Sequence, residues 1–151
     1  MQKIFCLVRK KNLPALPEEC VRVQVLAHLV NDLGFPAGCI AIERELASMP
    51  HLQGVSHPLP LRRADIVCFA KKTGGDKSLF PLLLIECKSV KLTRKMENQV
   101  VGYNHFLKAD FVALVNQHEV RTGWFDREIG EYRFISMLPS YGELLSQARS
   151  A

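Results

Sequence analysis

Several absences narrow the reading of this sequence first. No stretch approaches the run of about 20 apolar residues that a membrane helix needs, so no membrane is expected as a partner. The five cysteines, at positions 6, 20, 39, 68 and 87, form no C-x-x-C pair. Their number is odd and most lie within apolar runs, the pattern of buried, reduced thiols rather than of disulfides. The five histidines show no H-x-x-x-H spacing, which leaves a zinc site poorly supported. Internal repeats, low-complexity stretches and linkers are also missing. GGDKS contains Lys77 and Ser78 but not the G-x-x-x-x-G-K-[ST] frame, so an ATP site is not expected in this chain. The N-terminal MQKIFCLVRKKN puts its charge after a short apolar stretch, the reverse of a secretory signal. A soluble, cytoplasmic protein is the expectation.

What remains is enough for one compact domain over residues 1–151. Hydrophobic residues make up 48% of the chain, which argues against disorder. The net charge of +5, from 20 basic and 15 acidic residues, is compatible with a polyanionic partner without requiring one. Pro17, Glu18 and Glu19 suit the first turn of a helix, and Leu26, Leu29, Val30 and Leu33 continue it at helical spacing up to Gly34. Glu19 stands on the same face. CIAIEREL and RADIVCFA read as strands, with a Pro-, Gly- and His-rich loop over residues 50–61 between them. KKTGGDKS reads as a hairpin loop and PLLLIECKS as a third strand, apolar on both faces and therefore central. A second long helix is predicted over Thr93–Lys108, with Leu92, Met96, Val100, Tyr103 and Leu107 near one face. FVALVNQ follows as a fourth strand, RTGWFDREIGEYRFI as a closing hairpin and SYGELLSQ as a final helix. The order predicts an α/β core with a central mixed sheet of four to five strands, flanked by helices and followed by a C-terminal β-hairpin.

Alternation along the third strand sends Glu86 and Lys88 to one face, behind Leu82 and Leu84. Charges placed where a buried strand emerges are costly unless they are paired or bound. Asp65 occupies an equally apolar setting in the preceding strand, and a hairpin brings it near Glu86. Two carboxylates that close repel unless a proton or cation lies between them. Their hard oxygens suit Mg²⁺, with Mn²⁺ as a substitute. A lysine beside such an ion orients water or neutralises charge on a phosphate. A structural ion pair at a strand end is the competing explanation. Glu19 adds a third carboxylate, or is simply a first-turn glutamate favoured by the helix dipole.

Asp65, Glu86, Cys87 and Lys88 resemble the PD-(D/E)xK nuclease motif, with RADIV in place of the usual PD. The wider chain resembles the N-terminal nuclease domain of type I restriction endonuclease R subunits. The matching stretches are RKKNLPALPEECVR, FPAGCIAIEREL, RRADIVCF, LLLIECKS, QVVGYN and LPSY. The resemblance implies a restriction-endonuclease-like core and metal-dependent hydrolysis of DNA phosphodiesters. It also implies Asp65, Glu86 and the Cys87 carbonyl as metal ligands, with Lys88 catalytic. Gln99 and Tyr103 match the accompanying Q-x-x-x-Y motif and share a helix face; a core tyrosine beside a surface glutamine is the plainer account. The R subunits also carry a helicase motor, and this sequence contains none. DNA is the expected partner, through Arg62, Arg63, Lys91, Arg94 and Lys95, unless these are only a solvated face. A homodimer cutting both strands, a separate helicase or restriction-system partner, and a non-catalytic DNA-binding or assembly role all stay open. Trp124 and Phe125 could stack on bases, although hairpin packing is their simpler job.

Overall fold

The computed structural model describes all 151 residues. The chain opens with a hairpin of β1 (Lys3–Cys6) and β2 (Lys11–Pro14), a small separate sheet. Helix α1 (Pro17–Asn31) begins with Pro17, whose missing N–H would have no helical partner, and with Glu18 and Glu19 at the positive end of the helix dipole. The chain turns away through Gly34 at φ +77°, a conformation that costs glycine little.

Strands β3 (Ile40–Glu45), β4 (Arg63–Lys71) and β5 (Leu79–Cys87) then pair as an antiparallel meander. Between β3 and β4, short 3₁₀ turns bury Leu46, Met49 and Leu52 before the chain runs on irregularly. Helix α2 (Arg94–Leu107) starts at Thr93, whose hydroxyl accepts a hydrogen bond from the Met96 N–H at 3.3 Å. It carries the chain over the sheet to β6 (Phe111–Val115), which lies parallel to β5. A parallel pair needs such a crossover. Strands β7 (Val120–Asp126) and β8 (Glu131–Ile135) follow, and α3 (Tyr141–Gln147) ends the fold behind a Ser140–Glu143 capping box. No helix is long and apolar enough to cross a membrane.

The central sheet has six strands in the order β3-β4-β5-β6-β7-β8, against the four to five expected. The difference lies at the C-terminal hairpin. It does not stand apart but continues the sheet, with Val112 of β6 opposite Gly123 of β7. Gly123 in turn faces Phe134 of β8, and a Cβ there would come within 2.6 Å of the Phe134 ring. Trp124 packs against the core beneath α1, and Phe125 meets Tyr132 edge-on at 5.9 Å. Both aromatics thus have packing roles within the hairpin.

The sheet separates two apolar cores. Under α1, Val21, Val25, Leu26 and Leu29 meet Ile66, Cys68, Leu83, Ile85 and Cys87. Under α2, Val100, Tyr103 and Leu107 meet Val67, Leu84, Val112 and Leu114. Each fully buried leucine of this kind contributes about 1.5–3 kcal/mol. One bulge modifies the expected alternation. Cys68 pairs with Leu83 but Phe69 with Pro81, so Leu82 has no partner. Leu82 consequently turns under α1 beside Leu83, not onto the face of Leu84 and Glu86. Beyond the bulge the alternation is regular, and Leu84 and Glu86 point toward α2.

Candidate functional site

The β4–β5 register places Ile66 opposite Ile85, so Asp65 and Glu86 are the next facing positions. Here the ladder gives way to side chains. The Cys87 N–H donates to Asp65 Oδ2 at 2.8 Å. Glu86 is only 3% exposed. Its Oε2 accepts from Arg62 at 3.2 Å, while Oε1 is buried without a partner. A buried acceptor left unpaired is costly and calls for an explanation. Burial, and then the negative charge of Asp65, push the Glu86 carboxyl up to about 8 against the opposing pull of Arg62 and Lys88. Perturbed carboxyls cluster at functional sites, which makes this pair the candidate site.

On the other side of Asp65 lies Arg22, three residues after Glu19 on α1 and 6% exposed. Its guanidinium donates to Asp65 Oδ1 at 3.0 Å, reaches Glu43 at 3.2 Å and bonds Glu19. Arg9 holds the other oxygen of Glu19 at 2.9 Å. Burial raises the Glu19 pKa, but the hydrogen bonds from Arg9 and Arg22 outweigh it and leave the carboxylate below its ordinary range. The same carboxylates push the Arg22 pKa up despite its burial. Glu43, beside Asp65 in the β3–β4 ladder, takes a left-handed φ of +52°. Neither Glu43 nor Asp65 joins the regular register between Ile42↔Ile66 and Arg44↔Ala64. This is an unfavourable backbone conformation for a glutamate, located beside the acidic pair.

The other sequence-predicted residues divide into two sets. Lys88 leaves β5 with its N–H on the Val115 carbonyl at 2.8 Å, and its charge acts on Glu86. Tyr103 is buried, and its hydroxyl donates to the Arg62 carbonyl at 2.9 Å. Burial, and then the charge of Glu86, push its pKa up to about 12. The Arg62 guanidinium stands 6.0 Å over the Tyr103 ring. Gln99, one turn earlier on α2, is exposed and outside this set. The Cys87 thiol is buried and its pKa pushed up, so only the backbone of Cys87 is a candidate ligand. Arg63 pairs loosely with Glu45 at 3.7 Å, while Lys91, Arg94 and Lys95 are exposed. No three His, Cys, Asp or Glu side chains converge as a ready metal cage. Arg22 lies between Glu19 and Asp65, and the two acids meet through it.

The profile of the type I restriction enzyme R protein N terminus matches residues 17–139. The chain belongs to that family. No curated protein and no solved structure matches it.

The matched stretch begins at the first residue of α1 and ends just before α3. It therefore contains Glu19, Arg22, Asp65, Glu86, Lys88 and Tyr103. For this R protein N-terminal domain, sequence reasoning singled out every member of that set except Arg22; it also missed Glu43. The signal for Arg22 was present: an arginine between Val21 and Val23, one helical turn after Glu19. A basic residue inside an apolar helical face needs an acidic partner.

Proposed function

We propose that this domain is a metal-dependent DNA endonuclease with a restriction-endonuclease-like core, related to the nuclease part of type I restriction R subunits. The observation that carries this reading is the Asp65–Glu86 pair, with Glu86 Oε1 buried and unpartnered beside a second carboxylate. That donor set fits a hard divalent cation such as Mg²⁺ or Mn²⁺. Asp65, Glu86 and the Cys87 carbonyl would hold it. When bound, the ion supplies Lewis acidity to a phosphate oxygen and lowers the pKa of a bound water.

The chain's own residues do the rest. Asp65 is oriented by the Cys87 N–H, so its carboxylate is fixed relative to the β5 backbone. Glu86 loses the charge cost of its burial once a cation neutralises the pair. Lys88 presents an ammonium on the same face, where it orients the attacking water or offsets charge on the phosphate in flight. Tyr103, through the Arg62 carbonyl, positions the strand entry that carries Arg62 onto Glu86. Glu19 acts on Asp65 through Arg22 rather than by direct ligation. Gln99, exposed one turn before Tyr103 on α2, would position a phosphate of bound DNA. Arg63, Lys91, Arg94 and Lys95 contact phosphates flanking the site. A helicase or restriction-system partner would supply any translocation.

Incubating the purified protein with supercoiled plasmid and Mg²⁺ or Mn²⁺, against an EDTA control, tests this reading. Nicked or linear product only with metal is the expected result. Intact plasmid under all conditions, with DNA binding retained, would favour a non-catalytic binding module.

The basic segment has its own test. Every phosphate that the protein neutralises adds roughly one unit to the slope of log affinity against log salt. Replacing Arg94 and Lys95 together by alanine is expected to weaken binding and flatten the slope by about two units in fluorescence anisotropy. A slope equal to wild type would remove that segment from the interface.

A further inference from the structure

We infer that Arg22 is a resident cation that competes with the divalent metal for Asp65, so that the metal-free domain is held in a latent state. The inference rests on the metal-binding reading of Asp65 and Glu86. A buried guanidinium is costly unless carboxylates surround it. Arg22 has three of them: Asp65, Glu19 and Glu43. Without a metal, the arginine in turn is what makes a half-buried Asp65 tolerable.

The bond is to the oxygen that matters. Oδ2 of Asp65 is tied to the Cys87 N–H, and Oδ1 is the atom that Arg22 holds at 3.0 Å. A divalent ion on this carboxylate would sit within a few ångströms of a fixed positive charge, and the two repel strongly at that range. Ion binding and the Arg22–Asp65 pair therefore oppose each other. The fold provides a place for the displaced guanidinium. Its other terminal nitrogen is already on Glu19 and within 3.2 Å of Glu43. Glu43 is exposed and can follow it, and Arg9 keeps Glu19 in place from behind. Arg22 Nε is buried without a hydrogen-bond partner, so the present arrangement does not satisfy the whole group. With an ion on Asp65, Arg22 would shift fully onto Glu19 and Glu43.

The competition gives opposite signs to metal affinity and metal-free stability. Arg22→Gln keeps a hydrogen-bonding side chain and removes the charge. Titration calorimetry with Mn²⁺ is expected to show at least about fivefold tighter binding than wild type, the lower range of typical coupling between sites. In EDTA the same variant should melt below wild type, because the carboxylates around position 22 lose their counter-charge. Arg22→Lys, which keeps the charge but not the fork that spans Asp65, Glu19 and Glu43, should bind Mn²⁺ more weakly than Arg22→Gln, and equal binding by the two variants would overturn the competition. A folded Arg22→Gln protein with equal or weaker Mn²⁺ binding would overturn the competition while leaving wild-type metal binding intact. Absence of Mn²⁺ binding by wild type and variant alike would overturn the metal reading itself, and this inference with it. Should Arg22→Gln fail to fold, the wild-type protein decides: Mg²⁺ titration followed by NMR of the Arg22 Nε–H is expected to shift that signal at the stoichiometry of binding. An unmoved signal on saturation would overturn the proposal.

Discussion

Replacing Lys88 by alanine is expected to reduce plasmid cleavage by roughly 10³-fold or more, in the range seen when one preorganised transition-state donor is removed. Affinity for DNA should change by less than about threefold, since one phosphate contact among several carries little of the total. The separation is expected because the backbone at Lys88 is fixed independently of its side chain. Its N–H is bonded to Val115, and the loop that follows is fastened by Asn116 to the Val90 carbonyl at 2.9 Å and by Arg121 to the Leu92 carbonyl at 3.2 Å. Removing the ammonium leaves that scaffold in place. Single-turnover nicking assays and anisotropy on the same preparations measure both quantities. Loss of binding in parallel with cleavage would make Lys88 an electrostatic anchor instead.

The second large effect concerns stability against pH. Glu86 titrates at about 8 in the folded protein because burial and Asp65 oppose its charge, against an ordinary value of 4.5. The folded state therefore holds the Glu86 proton more tightly than the unfolded chain does. The stability linked to that proton is fully present below the ordinary carboxylate range. It is lost as pH rises through about 8. In EDTA, the melting temperature of wild type is expected to fall by on the order of 5 °C or more between about pH 5 and about pH 9. Glu86→Gln, which cannot ionise, should flatten most of that decline and melt above wild type at the alkaline end. Saturating Mn²⁺ should flatten it in wild type too, because an ion can stabilise the charged pair. Identical pH profiles for wild type and Glu86→Gln in EDTA would contradict the assignment of the decline to this residue.

These residues were legible for a physical reason. Glu86 and Asp65 interrupt apolar strands, and a charge in that setting is conspicuous against period-two alternation. The two long helices were legible from Pro17 with two acids at the start of α1 and from the apolar face of Met96, Val100, Tyr103 and Leu107 on α2. Other features depend on pairings that local pattern does not encode. The closing hairpin reads as a hairpin whether or not it joins a larger sheet, and only the β6–β7 register makes it two further strands. The bulge at Leu82 swaps an apolar residue between two apolar cores, so no polar residue betrays it. Arg22 is separated from Asp65 by 43 residues, and only the packing of α1 across the strand ends brings them together. That same packing turns Glu19 into a partner of two arginines. Gln99 shows the converse: helical spacing pairs it with the buried Tyr103, yet one turn earlier on α2 the side chain is already in solvent.

Calorimetry with Mn²⁺ distinguishes a divalent-cation site at Asp65 and Glu86 from a purely structural pair of acids. Wild type is expected to bind one ion. Asp65→Ala and Glu86→Ala, each shown to be folded by circular dichroism, are expected to lose at least about tenfold in affinity, as typical for removal of a metal-supporting group. Mn²⁺ affinity unchanged in both folded variants would rule out cation binding by this pair.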